Sequence, residues 1–177
     1  MEYNTDLPLP TRRKFDSPWD ELNYTYRKLL YWFYNRENRS KSLLFAKRMI
    51  MILKKIPDIE ETIKGNECLA LINEVYGNWL LAAEYRKKEI DLIYRLRDLA
   101  KTEKPLAKER ILKDFTPEDI ADRYDLLAIE LWRSGNFQEA LLTLDKSEKI
   151  CSENGFEFDG GNLRRDIEEE IGKVLTK

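Results

Sequence analysis

The chain has 177 residues, and its 31 Lys and Arg nearly balance its 33 Asp and Glu. Its length and its 42% hydrophobic content fit one domain with a hydrophobic core. Histidine is absent, which removes the usual neutral-pH acid–base group and the commonest metal ligand. A glycine-rich phosphate loop and a serine nucleophile motif are also absent. We therefore expect no enzymatic activity, no cofactor and no metal site.

The N-terminal residues 1–17 are predicted to form a flexible basic arm. Pro8 and Pro10 interrupt any helix there, and Thr11-Arg12-Arg13-Lys14 adds a small basic cluster. The arm lacks the apolar segment of a signal peptide, so we expect a cytoplasmic protein. The most apolar stretch, from Leu43 to Leu53, is too short to cross a bilayer, and we expect no membrane partner.

The first helix is predicted to begin at Ser17-Pro18-Trp19-Asp20. A serine cap, a proline in the first turn and an early carboxylate suit a helix N-terminus. Apolar residues then recur every three or four positions until a polar break at Asn35. Periodicity and turn signals predict further helices over about 41–55, 59–76 and 79–104.

The second half of the chain repeats the same signals. Thr116-Pro117-Glu118-Asp119 predicts another capped helix start, and residues 106–115 before it form a short helix or a connector. The turns Gly77-Asn78-Trp79 and Gly135-Asn136-Phe137 are similar to each other. Further helices are predicted over about 117–133, 137–153 and 163–175. The sequence therefore predicts an all-α fold of about seven helices in antiparallel pairs.

These turns and their flanking residues resemble the tetratricopeptide repeat family, whose repeats span about 34 residues. The best match is residues 121–154, which carry the following residues at the family's spacing: Tyr124, Leu127, Ala128, Leu131, Gly135, Phe137, Ala140 and Leu144. Residues 63–96 match less well, because Asn66, Asn73 and Arg86 stand where apolar residues are expected. Residues 26–59 match as a degenerate repeat, with Ser40 in place of the turn glycine.

The resemblance implies an antiparallel helix-pair solenoid, an α–α superhelix, over a single domain of residues 18–177. The helix over 163–175 would cap it, because the ends of a repeat stack need a polar cover. Residues 97–120 would be an insertion or a helix extension, since Gly77 and Gly135 are farther apart than one repeat by about 24 residues.

The resemblance also implies a protein-binding scaffold, an adaptor or assembly chaperone that takes a partner's peptide or helix in a concave groove. Trp132 is the expected anchor, because desolvated aromatic residues dominate many interfaces. Asp122 and Asp125 favour a partner that joins an apolar anchor to Lys or Arg. The groove predicted from the repeat spacing comprises Tyr34, Leu71, Glu74, Val75, Asp122, Asp125, Ile129, Trp132 and Arg133.

Two alternatives depend on the uneven charge. Residues 1–56 hold twelve Lys or Arg and six Asp or Glu, whereas the remainder has a net charge of −8. The basic charges interleave with aromatic residues, a pattern that RNA or single-stranded DNA could use. Aromatic residues in such a pattern more often belong to the hydrophobic core, and the charged residues more often form a solvated surface. We therefore do not expect nucleic acid as the partner. The basic third could also meet the acidic remainder of another copy as a homo-oligomer.

Overall fold

The computed structural model describes residues 14–102 and 105–175. Helices make up 82% of the structure, and the described residues form eight α-helices and no β-strand, which confirms the all-α prediction. Residues 1–13 of the predicted arm lie outside the described ranges. The chain forms two compact units, Met1–Pro57 (unit 1) and Asp58–Lys177 (unit 2). A single repeat domain over residues 18–177 stays a prediction.

Unit 1 contains two packed helices. Helix α1 (Pro18–Leu30) continues into a π-helical turn (Tyr31–Asn35), and α2 follows over Arg39–Leu53. The predicted cap is present, because the Asp20 N–H donates a hydrogen bond to Ser17 Oγ at 3.2 Å. The two helices bury their apolar sides against each other. The fully covered side chains include Leu22, Leu29, Phe45, Ala46, Met49 and Ile52.

Unit 2 contains six helices. They are α3 (Ile63–Tyr76), α4 (Trp79–Ala100), α5 (Pro105–Asp114), α6 (Pro117–Arg133), α7 (Phe137–Asn154) and α8 (Gly161–Leu175). Helix α3 packs against α4, α4 against α6, α6 against α7, and α7 against α8, while α5 packs against α4. Each helix therefore packs against a helix that precedes or follows it in the chain. In addition, α4 packs against α6, although α5 lies between them in the sequence. Apolar side chains from α4, α6, α7 and α8 pack together in one hydrophobic core.

Glycines end the helices where the sequence predicts turns. Gly77 has a φ of 76° and closes α3, and Gly155 has a φ of 74° and closes α7. Gly135, with a φ of 84°, lies in the turn between α6 and α7. Glycine adopts this left-handed conformation without the steric cost that a Cβ brings. The predicted turn role of these residues is confirmed.

The third helix begins later than predicted. Ile59–Glu61 forms a separate 3-10 turn, and α3 begins only at Ile63. Thr62 explains the break, because its backbone is extended and its Oγ1 accepts a hydrogen bond from the Gly65 N–H at 2.9 Å. The amide of Asn66 then donates to the carbonyl oxygens of Glu60 and Thr62, each at 2.8 Å.

Replacing Gly65 by Ala is expected to destabilise unit 2 by about 1–3 kcal/mol. A Cβ at this position would lie 1.8 Å from the carbonyl oxygen of Ile59 and 2.8 Å from Thr62 Oγ1. The backbone of the 3-10 turn would therefore have to move. Urea unfolding of the wild type and Gly65→Ala measures the change.

Gly172→Ala in α8 is the matched control, because a Cβ there meets no atom within 4 Å. This variant is expected to gain about 0.5–1 kcal/mol from helix propensity. Equal stability of Gly65→Ala and the wild type would contradict the close contact between the 3-10 turn and Gly65 of α3.

Candidate functional site

Helix α6 carries five of the nine residues of the predicted groove, and its start is fixed by a reciprocal cap. Thr116 Oγ1 accepts a hydrogen bond from the Asp119 N–H at 3.1 Å, while the Thr116 N–H donates to Asp119 Oδ2 at 3.0 Å. The helix has two distinct sides. One side is buried and consists of Ile120, Ala121, Leu127, Ala128, Glu130 and Leu131. The other, called the α6 face below, consists of Asp122, Asp125, Ile129 and Trp132.

The buried side of α6 contacts a network of charged side chains centred on Arg86 of α4. The Arg86 side chain is 3% exposed and reaches three carboxyl groups. Its Nη2 donates to Glu74 Oε1 of α3 at 2.9 Å and to Glu130 Oε1 of α6 at 3.1 Å. Its Nη1 donates to Glu89 Oε2 of α4 at 2.7 Å. One guanidinium therefore connects three helices of unit 2.

A second arginine extends this network at its edge. The Nε of Arg123, on α6, donates to Glu89 Oε1 at 2.7 Å. Its Nη1 donates to the carbonyl oxygen of Asp119 at 2.7 Å. Glu89 is fully buried, and each of its oxygens accepts a charged hydrogen bond from a different helix. Helices α4 and α6 are thus joined by two guanidinium groups.

The network holds two guanidinium groups and three carboxyl groups, those of Glu74, Glu89 and Glu130. Glu130 Oε2 is buried and accepts no hydrogen bond. Burial raises the pKa of Glu130 to about 9; the charge of Arg86 lowers this pKa and the adjacent Glu74 raises it. We infer that Glu130 is protonated at neutral pH and that Oε2 donates toward Glu74. The five groups then have no net charge.

This proton makes the stability of unit 2 depend on pH. The ordinary pKa of Glu130, 4.5, applies to the unfolded chain, whereas the folded value is about 9. Between these values the folded protein keeps a proton that the unfolded chain has released. The contribution of Glu130 to the free energy of unfolding is therefore complete below pH 4.5 and is lost as the pH rises through 9.

The α6 face points away from this network and carries negative charge. Asp122 is exposed and Asp125 is half-buried. Partial burial raises the pKa of Asp122, Asp119 and Asp159 raise it further, and the charge of Arg123 lowers it. Burial also raises the pKa of Asp125, the nearby Ser147 hydroxyl lowers it, and Asp122 and Asp159 raise it. Neighbouring carboxylates therefore disfavour the ionisation of both aspartates, while Arg123 favours that of Asp122.

The C-terminal part of the α6 face is apolar. Ile129 and Trp132 are half-buried, so each keeps part of its side chain in contact with water. The Trp132 indole N–H donates to Glu170 Oε2 of α8 at 2.8 Å. The guanidinium of Arg133 lies over the indole ring, with its carbon 4.6 Å from the ring centroid. These two contacts fix the orientation of the Trp132 ring.

The other predicted groove residues lie elsewhere. Leu71, Glu74 and Val75 are buried in α3, and Glu74 takes part in the ionic network. A buried side chain cannot contact a partner unless the core opens. Tyr34 is exposed but belongs to unit 1, whereas the other eight residues belong to unit 2. The structure therefore brings together Asp122, Asp125, Ile129, Trp132 and Arg133 on α6, and their binding role stays a prediction.

The basic and aromatic residues of unit 1 contact one another. The Lys41 ammonium lies 3.5 Å from the centroid of the Trp32 ring, and the Arg36 guanidinium lies 5.6 Å from that of Tyr31. Both rings are half-buried, so neither offers a fully open face to a nucleic-acid base. The sequence-based expectation about nucleic acid stays a prediction.

Among the described residues, no helix combines the length and the apolar character that a membrane crossing requires. Comparisons of the chain with protein-family models, with curated proteins and with solved structures find no match. The tetratricopeptide resemblance therefore rests on the turns and spacing within this chain.

Sequence analysis missed the ionic network, although one signal was present. Arg86 stands at an apolar position of the repeat and lies between Ala83 and Ile90, which are buried on the same side of α4. A charged residue inside a buried stripe requires partners of opposite charge. Glu130, which follows the buried Leu127 in the same way, offers the corresponding signal on α6.

Arg86→Met is expected to reduce the free energy of unfolding by about 3–5 kcal/mol, because it removes a buried cation from Glu74 and Glu89 and a hydrogen-bond donor from Glu130. Chemical denaturation measures the loss. Lys87→Met, one residue along, is the control, since its partner Glu139 and Lys87 itself are 51% and 43% exposed. An exposed pair of this kind contributes under about 1 kcal/mol. A similar small loss in both variants would contradict the structural role of Arg86.

Proposed function

We propose that unit 2 is a tetratricopeptide-like module of an adaptor protein, and that its α6 face binds a basic segment of a partner protein. The observation that carries the proposal is the clustered negative charge of Asp122, Asp125 and Asp159 beside the accessible parts of Ile129 and Trp132. The partner segment joins Lys or Arg to an apolar side chain.

The packing series of unit 2 supports the repeat assignment. Helices α3 and α4 form one pair, α6 and α7 form the next, and the pairs contact each other through α4 and α6. Helix α8 covers the last pair as a cap, and α5 lies within the predicted insertion. Repeat proteins of this kind bury a continuous core by stacking pairs and present the first helix of each pair to partners. Helix α6 is such a first helix.

The acidic part of this face favours the binding of a further cation. Asp125 Oδ1 is buried and accepts no hydrogen bond. A Lys or Arg side chain near Asp122 and Asp125 would stabilise both carboxylates in their ionised form and so lower their raised pKa values. Complementary charge also speeds the encounter of two proteins and excludes acidic competitors.

The apolar part of the face supplies the anchor. Trp132 is held in place by Glu170 and Arg133, so binding would order few additional side chains. Aromatic residues with a fixed ring often carry much of the energy of an interface. On the opposite side of α6, the Arg86 network holds the helix against α3 and α4. The face is therefore preorganised.

Panning a random peptide library on the full chain tests the proposal. Enriched peptides are expected to combine Lys or Arg with a large apolar residue within about two helical turns. Asp122→Asn/Asp125→Asn and Trp132→Ala are each expected to weaken binding of an enriched peptide by at least about tenfold. The Asn variant keeps the shape of both side chains while removing their charge.

The control is Glu84→Gln/Glu153→Gln, which removes the same charge from exposed positions on α4 and α7. This variant is expected to bind as the wild type does. Enrichment of peptides without basic residues, or equal binding by all variants, would show that the α6 face is not the binding site.

A further inference from the structure

Helix α2 of unit 1 presents a basic and apolar surface. Residues 39–55 contain six Lys or Arg and no Asp or Glu. Leu44 is 53% exposed and Met51 is 66% exposed, although both are large apolar side chains. Lys47 and Lys54 are also exposed. Leu44, Lys47, Met51 and Lys54 stand at intervals of three, four and three residues and share one side of the helix. We call them the α2 face.

The α2 face has the chemistry that the α6 face requires. It joins two apolar side chains to two ammonium groups, whereas the α6 face joins Ile129 and Trp132 to Asp122 and Asp125. The residues of both faces follow the same intervals of three, four and three. In an antiparallel arrangement Lys54 would meet Asp122 and Leu44 would meet Trp132, while Met51 and Lys47 would lie between these two pairs, opposite Asp125 and Ile129. The two faces are opposite in charge, each carries two apolar side chains, and they are equal in length.

Aliphatic side chains distinguish this partner from a nucleic acid. Single-stranded nucleic acids bind to aromatic rings on which their bases stack. The most exposed large apolar side chains of α2 are Leu44 and Met51, and neither of them has an aromatic ring. Leucine and methionine instead pack well against a tryptophan and an isoleucine of another protein.

We propose that the basic segment bound by the α6 face is helix α2 of a second copy of this chain. The proposal rests on the proposed function of the α6 face and names its ligand. It also accounts for the opposite charges of the two parts of the sequence, +6 for residues 1–56 and −8 for the remainder. The overall charge of only −2 leaves little repulsion between copies.

This contact joins different surfaces of the two copies. After two copies bind, one of them keeps an α2 face and the other keeps an α6 face for further partners. If the rotation between successive copies returns to the first copy, such an interface produces a closed ring. If it does not, the interface produces an open filament. Because charge pairs contribute, the assembly weakens when salt shortens the screening distance.

Sedimentation velocity of the full chain tests the proposal through charge reversal. One variant, Lys47→Glu/Lys54→Glu, gives the α2 face negative charge. The other, Asp122→Lys/Asp159→Lys, places positive charge on the α6 face and on its acidic neighbour Asp159. The wild type is expected to associate at about 0.01 M salt and less at about 0.15 M. Each variant alone is expected to associate at least about tenfold more weakly, because like charges then meet.

An equimolar mixture of the two variants is expected to restore association, since each reversed face meets a complementary face on the other variant. Glu84→Lys/Glu153→Lys alters net charge as the second variant does and is expected to leave association unchanged. Circular dichroism of each variant confirms that it is folded. A wild type that stays monomeric, or a mixture that fails to associate, would overturn the proposal.

Peptide binding separates this proposal from the function on which it rests. A monomeric wild type whose peptide binding is lost in Asp122→Asn/Asp125→Asn would keep the α6 site and exclude the second copy as its ligand. A labelled single-stranded DNA that binds the monomer and is released by Lys47→Glu/Lys54→Glu would identify a nucleic acid at the α2 face. Either result overturns the self-association proposal.

Discussion

The burial of the Arg86 guanidinium is the constraint on which the architecture of unit 2 depends. A guanidinium cannot lose its proton at accessible pH, so burial requires carboxyl groups within hydrogen-bond distance. Glu74, Glu89 and Glu130 meet that requirement from three helices. Each of these helices is thereby held in one rotation about its axis, because any other rotation leaves a buried charge without a partner. Hydrophobic packing alone tolerates more alternatives than this.

The rotation of α6 has a functional consequence. Glu130 can reach Arg86 only when the Asp122 to Trp132 stripe points to the other side of the helix. The ionic network and the candidate binding face thus lie on two sides of helix α6. The contacts on the buried side fix the direction in which the exposed side points. A neutral network requires a proton on Glu130, whereas the exposed carboxylates of α6 remain available for a cation. Carboxylic acid side chains serve both roles because their surroundings differ.

Local signals in the sequence predicted much of the fold. Caps such as Ser17 and turn glycines such as Gly77 act through neighbouring residues, so the sequence contains their whole context. Two of the three partners of Arg86 lie 12 and 44 residues away, and only the packing of helices brings them together. The repeat spacing assigned Glu74 to a groove because it cannot show that α3 is covered on that side. Trp132 was found from its position on α6, but its contact with Glu170, 38 residues away, required the structure.

The pH dependence of unfolding, compared between the wild type and Glu130→Gln, tests the buried proton most directly. Glutamine keeps the shape of the side chain and can donate to Glu74 without titrating. We predict that the wild type loses stability relative to Glu130→Gln as the pH rises from 5 toward 9, by up to about 1.4 kcal/mol per pH unit. All other titrating groups are common to both proteins and cancel in the difference. A difference that stays constant from pH 5 to 9 would show that Glu130 is ionised in the folded protein, and would contradict a neutral network around Arg86.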